Sequence, residues 1–196
     1  MGTFGVVAKG FSFYLNKNVA IKRIENFAKN EYHCLQLIRE IKLLKELNEH
    51  PDGLKYVPQL LDLVVSGKNA HDPKCEDQDD MTVFIVMEYF EYDLKRVICN
   101  HIKNFSETQI VTLIFDLLST VKFLHQLNVV HRDIKPSNFF VSADMRVKIG
   151  DFGIARSLPE NLTGKGSGNT TRVRNAIRKS RFDQDFLKDD MRQIFL

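Results

Sequence analysis

The chain has 196 residues, of which 43% are hydrophobic, and a formal charge of +3, so it can form one domain with a buried core. No apolar run approaches the roughly 18 residues that a membrane helix needs, and the first residues lack the basic and apolar regions of a secretory signal. Cys34, Cys75 and Cys99 are widely spaced and form no C-x-x-C pair, which indicates neither a disulfide framework nor a zinc site. We therefore predict an intracellular protein, cytoplasmic or nuclear, with no membrane partner.

Charge is distributed unevenly along the chain. Residues 71–80 are acidic and residues 165–181 are basic, and both segments are predicted to be solvated loops. Nucleic-acid binding through Arg172 to Arg181 is the weaker interpretation, because a phosphate-contacting loop accounts for the same charges. We predict no nucleic-acid partner.

The first predicted elements are a strand and a helix. Residues 19–24 alternate in polarity, which places Lys22 on the same face of a strand as Ala20. Apolar residues then recur at helical spacing over residues 31–48, with Glu40 beside the apolar stripe. The sequence His50-Pro51-Asp52-Gly53 ends that helix.

The next predicted elements are two strands and a short helix. Strands over residues 59–65 and 82–87 bracket the acidic loop, as expected for a hairpin connection. The β-rich part of the chain is expected to end near Met87. A short helix is predicted over residues 92–100.

A longer helix is predicted over residues 107–127. Ser106 and Gln109 form a capping box at its start. The helix is apolar almost all round, which predicts burial from several sides, and little of the chain remains to supply it. The isolated chain is therefore predicted to be poorly soluble or molten. The narrow polar stripe of this helix consists of Thr112, Asp116, Ser119 and Thr120.

The most specific pattern is the sequence from His131 to Asn138, HRDIKPSN, followed by Asp151-Phe152-Gly153 after a predicted strand over residues 147–149. Together they resemble the catalytic centre of a eukaryotic protein kinase. The resemblance extends from Gly2 to about Arg156 and is to the group containing cyclin-dependent and mitogen-activated protein kinases. It implies an α+β fold with two lobes.

Two further segments carry the resemblance, and part of the first motif refines it. Residues 39–47 are similar to the regulatory helix of that group, and residues 88–94 to its hinge. Lys135-Pro136-Ser137-Asn138 favours the mitogen-activated branch, with the cyclin-dependent branch next. The implied division is an N-lobe over 1–87, a hinge over 88–92 and a partial C-lobe over 93–196.

The resemblance implies roles for four catalytic residues. Asp133 would be the catalytic base, and Lys135 would place a cation beside the transferring phosphoryl oxygens. Lys22 would hold the α- and β-phosphates of ATP, and Glu40 would pair with Lys22.

The resemblance implies ATP and Mg²⁺ as cofactors. Asn138 and Asp151 would bind the metal, because a hard cation prefers oxygen ligands. Gly2 and Gly5 would belong to a phosphate-binding loop whose first glycine is missing. Phe140 stands where this family usually has Leu, which predicts a shallower pocket. The implied adenosine pocket consists of Val7, Ala20, Met87, Glu88, Phe90, Asp93 and Phe140.

The chain also departs from the family pattern. No tyrosine follows Tyr92 and no Ala-Pro-Glu is present, so the chain is predicted to stop inside an atypically long activation segment. Arg132 is predicted to pair with a phosphate on that segment. The candidate acceptors are Thr163, Ser167, Thr170, Thr171 and Ser180.

The predicted function is serine/threonine phosphorylation from ATP, with protein substrates and an upstream activating kinase as partners. A tyrosine kinase is less favoured because of Lys135. The other class is a non-catalytic fragment that binds nucleotide or a kinase's partners, and the predicted truncation favours inactivity of this particular chain.

Overall fold

The computed structural model describes residues 5–67, 81–142 and 144–158. Gly2, the acidic segment 71–80 and the basic segment 165–181 lie outside them. The described strands are β1 (Val6–Ser12), β2 (Lys17–Glu25), β3 (Leu60–Ser66), β4 (Thr82–Glu88), β5 (Tyr92–Asp93), β6 (Val129–Val130), β7 (Phe139–Val141), β8 (Val147–Ile149) and β9 (Arg156–Ser157). The α-helices are α1 (Glu31–Glu49), α2 (Gly53–Tyr56), α3 (Leu94–Asn100) and α4 (Glu107–Gln126).

The largest sheet has four antiparallel strands in the order β1-β2-β4-β3. The strands predicted over residues 19–24, 59–65 and 82–87 are confirmed as β2, β3 and β4, with slightly different ends. β2 pairs with β4 so that Ala20 lies opposite Met87 and Lys22 lies opposite Ile85. Since Ala20 and Lys22 are two residues apart, they share one face of the strand, as predicted.

Helix α1 confirms the helix predicted over residues 31–48 and connects two apolar clusters. Its first turn is capped by Asn30, whose side chain accepts a hydrogen bond from the Tyr32 backbone N–H. Leu37 and Ile41 pack with the four-stranded sheet, whereas Leu44 packs in the larger cluster that includes the C-terminal elements. The helix thereby ties the sheet to the mainly helical part of the chain.

The segment after the large sheet differs in two ways from the prediction. Tyr92 and Asp93 form strand β5, which pairs with β7, so the helix predicted over residues 92–100 begins only at Leu94. Strand structure also continues beyond Met87, because β5, β7 and β8 form a three-stranded sheet and β6 pairs with β9. Strand β8 confirms the strand predicted over residues 147–149. The sequence did not indicate β5, β6, β7 and β9, because each has only two or three residues and so shows no pattern of its own.

Helix α4 starts at the predicted capping box, in which Ser106 and Gln109 exchange side-chain to backbone hydrogen bonds. The polar stripe is only partly solvated: Thr120 is fully buried and its hydroxyl donates to the Val147 carbonyl at 3.1 Å. The opposite face is apolar and exposed, with Phe115 68% and Leu118 66% accessible. No helix in the described ranges is both long and apolar enough to span a bilayer.

Replacing Phe115 and Leu118 together by lysine should raise the solubility of the 196-residue chain. Both side chains are exposed, so the change removes apolar surface and should alter the free energy of unfolding by no more than about 0.5 kcal/mol. The measurement is the soluble fraction after centrifugation, together with binding of an apolar dye. Thr108→Lys with Gln126→Lys is the control, because it adds the same charge at exposed polar positions. An equal gain in the control would contradict the prediction.

Candidate active site

A cleft of about 660 Å³ lies between the four-stranded sheet and the β7-β8 hairpin. Its walls come from β1, β2, the segment after β4, and the residues around Asn138 and Asp151. Most of the predicted site residues therefore come together at one cavity. The predicted residues that line it are Gly5, Val7, Ala20, Lys22, Glu40, Met87, Glu88, Phe90, Asn138, Phe140 and Asp151.

A buried ion pair lies at the back of this cleft. The Lys22 ammonium donates to both carboxylate oxygens of Glu40, at 2.6 and 2.7 Å, and the two residues are only 7% and 3% exposed. The same ammonium lies 3.6 Å from Asp151 Oδ1. Burial alone would lower the pKa of Lys22, but the carboxylates of Glu40 and Asp151 outweigh it and raise that pKa. Lys22 therefore carries a fixed positive charge into the cleft.

A second group of polar side chains surrounds Asp133. Lys135 Nζ donates to Asp133 Oδ2 at 2.6 Å, and Asn138 Nδ2 donates to the same oxygen at 3.0 Å. The hydrogen bond from Lys135 is the main cause that lowers the pKa of Asp133. Asp133 and Lys135 do not line the cleft themselves, and Asn138 connects them to it. The ionised carboxylate is thus held at the edge of the cavity.

His131 links these two groups. Its Nε2 lies 2.9 Å from the Gly150 carbonyl, and its Nδ1 accepts from the Asp133 backbone N–H at 3.3 Å. A carbonyl can only accept, so both bonds require a neutral ring protonated on Nε2. Burial lowers the pKa of His131 and favours that neutral form. The ring therefore fixes the Asp133 loop to the residue before Asp151.

The side-chain oxygens of Asn138 and Asp151 suit a magnesium ion as ligands. Both bonds from Asn138 to Asp133 use the amide nitrogen, at 2.8 and 3.0 Å, which leaves the amide oxygen for a cation. The Asp151 side chain is 46% accessible. No group of three or more His, Cys, Asp or Glu side chains that could hold a metal occurs in the described part of the chain. Such a sparse set fits Mg²⁺, which usually takes one or two protein ligands together with phosphate oxygens.

Among the residues predicted to contact the nucleotide, Gly2 lies outside the described ranges. Asp93 does not line the cavity, and its carboxylate instead caps α3 by accepting from the Arg96 backbone N–H at 2.8 Å. The predicted contact between Asp93 and a ribose stays a prediction.

Three arginines lie together beside the segment that follows Asp151, and we call them the arginine cluster: Arg39, Arg132 and Arg156. Arg39 donates to the Gly153 carbonyl at 2.8 Å, and Arg132 donates to the Ile154 carbonyl at 2.5 Å. Burial, followed by the charges of Arg156 and Arg132, lowers the pKa of Arg39 to about 10. Like charges brought this close create a positive potential that suits an anion.

Sequence reasoning singled out Arg132 but missed its two partners. Arg39 stands beside Glu40 in the helix motif, and Arg156 follows the Asp-Phe-Gly triplet by three residues. Both residues stand next to recognised motifs, but no pattern in the sequence around either one indicates that the two side chains lie close together. The hydrogen bonds of His131 were likewise missed, although the residue belongs to the motif.

Comparison with known proteins gives the family. The model of the protein kinase domain matches residues 1–179. Mitogen-activated protein kinase 14 of Arabidopsis thaliana is 33% identical over 83% of this chain and 41% of its own length. Mitogen-activated protein kinase 15 of Xenopus laevis is 35% identical over 80% of the chain and 24% of its own length, and extracellular signal-regulated kinase 2 of Dictyostelium discoideum is 33% identical over 80% and 38%.

The fold, the cleft and the match together place the chain in one class. It belongs to the protein kinase domain family. It spans less than half the length of these three mitogen-activated and extracellular signal-regulated kinases. The predicted division into lobes and hinge, and the individual roles of the site residues, stay predictions.

The buried ion pair predicts an asymmetric effect on stability. Glu40→Gln should lower the free energy of unfolding by about 3–5 kcal/mol, because it leaves the buried Lys22 charge without its main partner. Lys22→Met combined with Glu40→Leu should be much closer to the original protein, since an apolar pair replaces both charges. Urea unfolding of the three proteins measures the difference. A double variant as unstable as Glu40→Gln would contradict the prediction.

Proposed function

We propose that these residues form the ATP-binding and phosphoryl-transfer part of a serine/threonine protein kinase. The observation that carries the proposal is the placement of one buried cation, Lys22, in the same cleft as Asn138 and Asp151, with Asp133 at its edge. Transfer of a phosphoryl group needs a base beside the incoming hydroxyl and positive charge over the phosphates. The chain supplies a candidate for each requirement.

Asp133 is proposed to accept the proton of the substrate hydroxyl. Its carboxylate is ionised at neutral pH and is held by Asn138 and Lys135. The Lys135 ammonium, which lies 2.6 Å from that carboxylate, would also face the transferring phosphoryl oxygens. General base catalysis of this kind typically contributes about 10²- to 10⁴-fold to a rate.

The nucleotide is proposed to lie with its base against the segment after β4 and its phosphates toward Lys22. Backbone groups of Glu88 and Phe90 would bind the adenine edge, and Ala20 and Val7 would cover one face of the base. Gly5 has φ +100°, and a β-carbon there would lie 2.6 Å from the Arg23 carbonyl oxygen. Only glycine fits this backbone conformation, which suits a loop that approaches phosphates closely.

Asn138 and Asp151 are proposed to bind Mg²⁺, which would neutralise phosphate charge during transfer. Glu40 is proposed to act only on Lys22, because both of its oxygens are engaged by that ammonium. It is therefore a positioning residue. Movement of α1 would remove it from Lys22 and lower activity.

The similarity to mitogen-activated protein kinases supports protein hydroxyls as substrates, an upstream kinase as partner and an intracellular location. The second candidate is a fragment that binds nucleotide without transferring phosphate. The observation that favours it is the exposed apolar face of α4, which includes Phe115 and Leu118. Such a face is normally covered in a complete fold.

Asp133→Asn should reduce phosphorylation of a generic basic protein by the full-length gene product by at least about 100-fold, because amide cannot accept the proton. ATP binding, measured by titration calorimetry, should change little. Lys22→Met should weaken ATP binding as well as turnover. Unchanged turnover in either variant would reject its assigned role. ATP binding without any turnover by the 196-residue chain itself would favour the non-catalytic fragment.

The arginine cluster is proposed to bind a phosphorylated side chain of the segment that follows residue 158. Arg132 and Arg156 come from the two ends of the catalytic region, and Arg39 comes from α1. A phosphate bound to all three would fix α1, and with it Glu40, against the cleft. Phosphorylation would then favour the arrangement in which Glu40 engages Lys22.

Arg156→Gln should lower the activity of the full-length gene product and make it insensitive to phosphatase. The original protein should lose activity on phosphatase treatment, because its cluster then loses the anion that it binds. Arg23→Gln, at an exposed arginine paired with Glu25, is the control and should keep the phosphatase response. Mass spectrometry of active protein without phosphate on Thr163, Ser167, Thr170, Thr171 or Ser180 would contradict the proposal.

A further inference from the structure

Tyr32 lies on the first turn of α1 and is exposed to solvent. It is the second residue of the helix, and 57% of its surface is accessible. The Asn30 side chain accepts a hydrogen bond from its backbone N–H, so the start of the helix holds the backbone of Tyr32 in place. An enzyme in solution can therefore reach the phenol, and none of the proposed roles uses it.

The helix brings Tyr32 to the face that meets the segment after Asp151. Residues 32, 36 and 40 are four apart and therefore share one face of α1. A β-carbon at Gly153 would lie 3.8 Å from Glu40 Oε2 and 4.0 Å from Gln36 Cβ. The segment after Asp151 thus crosses this face, and Tyr32 lies one turn away from the crossing, toward the start of the helix.

Two residues of the arginine cluster lie beside the Tyr32 hydroxyl. Arg39 follows Tyr32 by two helical turns, and its guanidinium donates to the Gly153 carbonyl at 2.8 Å. Arg156 follows Gly153 by three residues. Burial, followed by the charges of neighbouring arginines, lowers the pKa of both Arg39 and Arg156, whereas the Tyr32 hydroxyl raises it. An ionisable group has this effect only from a short distance, so the phenol lies near both guanidinium groups.

This arrangement suits a phosphate better than it suits a neutral hydroxyl. A phosphate on a tyrosine carries a charge of about −2 at neutral pH and three acceptor oxygens. Guanidinium groups bind such oxygens through paired hydrogen bonds. Position 32 is also on the first turn of α1, where the helix dipole favours negative charge. An anion here would offset the repulsion between neighbouring arginines.

We propose that Tyr32 is a phosphorylation site whose phosphate is bound by Arg39 and Arg156, so that the arginine cluster can take its anion from α1 itself. A protein tyrosine kinase would supply the γ-phosphoryl group of ATP. The bond from phosphorus to the ADP oxygen breaks, the bond to the phenol oxygen forms, and the hydroxyl proton passes to a base of that enzyme. Because Arg156 belongs to β9, the phosphate would join α1 to that strand.

The first test places phosphotyrosine at position 32 of the full-length gene product by genetic-code expansion and follows its phosphorus NMR signal against pH. The titration midpoint should lie at least about 0.5 pH unit below that of phosphotyrosine at position 14, because nearby arginines favour the dianion. Tyr14 is the matched control, since it is 96% exposed and residues 11–16 carry no charged side chain. Equal midpoints at the two positions would overturn the proposal.

The second test identifies the cations. Arg156→Gln should return the midpoint at position 32 at least about halfway to that at position 14. Arg23→Gln, at the exposed arginine of β2 that pairs with Glu25, should leave it unchanged. A midpoint that Arg156→Gln does not move would contradict the proposed binding. Melting curves report whether each variant folds, and the comparison of positions 32 and 14 decides the proposal if Arg156→Gln does not.

The third test asks whether the hydroxyl is modified. Trypsin cleaves after Lys29 and Arg39, and in the resulting peptide Tyr32 is the one residue with a hydroxyl group. Mass spectrometry of gene product isolated from its own cells, with tyrosine phosphatases inhibited, should find phosphate on this peptide. A peptide without phosphate would overturn the assignment of Tyr32 as a modification site.

The outcomes are independent of the proposed function, because none of the three measurements uses a nucleotide in the cleft or catalysis by this chain. Equal midpoints at positions 32 and 14 would remove the phosphotyrosine site and leave the kinase proposal in place. A gene product that binds no ATP would overturn the kinase proposal, whereas a lowered midpoint at position 32 would still support the phosphotyrosine site.

Discussion

A buried lysine keeps its positive charge only where opposite charges compensate for the lost hydration, and the ammonium of Lys22 meets that condition through two separate elements. Glu40 comes from α1 and Asp151 from the segment after β8. Residues 20 and 22 share one face of β2 because they are two residues apart, and the register with β4 places Lys22 opposite Ile85. The charge of Lys22 therefore links the positions of α1, the sheet and the segment that contains Asp151.

Helix α1 makes this link twice with consecutive residues. Glu40 engages Lys22 on the sheet, while Arg39 donates to the Gly153 carbonyl at 2.8 Å. Adjacent helical residues project about 100° apart, so Glu40 and Arg39 reach their two partners from different sides of the helix. Rotating α1 away from this position would therefore break these contacts. Any displacement of α1 would disturb the cation of the cleft and the arginine cluster together. The helix is thus well placed to transmit a change at one of these sites to the other.

Local patterns predicted the parts of this site that depend on nearby residues. The capping box at Ser106 and the face shared by Ala20 and Lys22 follow from spacing alone. Motif resemblance identified Asp133, Asn138 and Asp151 as candidate site residues. The residues could be found because each motif is short and contiguous.

The missed features depend on distant pairing. Tyr92 and Asp93 form a strand only because β7 lies alongside, nearly 50 residues later in the numbering. The contact between Phe140 and Gly150 arises only once β7 and β8 are in register. The sequence places Thr120 in the narrow polar stripe of α4, and only the fold shows that its hydroxyl donates to the Val147 carbonyl in the core. Sequence spacing within one element carries no information on such contacts, because register is set by packing.

His131 connects two strained points of the candidate active site. Arg132 and Asp151 both have left-handed backbones, with φ of 67° and 64°, which is unfavourable for residues that carry a β-carbon. Arg132 directly follows His131, and Asp151 directly follows Gly150, whose carbonyl accepts from the His131 ring. The other ring nitrogen accepts from the Asp133 backbone.

The buried imidazole of His131 therefore holds the backbone next to both strained residues by hydrogen bonds. It can do so only in its neutral form. A second proton on the ring would occupy Nδ1 and end its ability to accept from Asp133. Burial works against that proton by lowering the pKa of His131. The apolar packing of Phe152 against the ring, with centroids 5.2 Å apart, thus contributes to the geometry of a polar site that it does not itself enter.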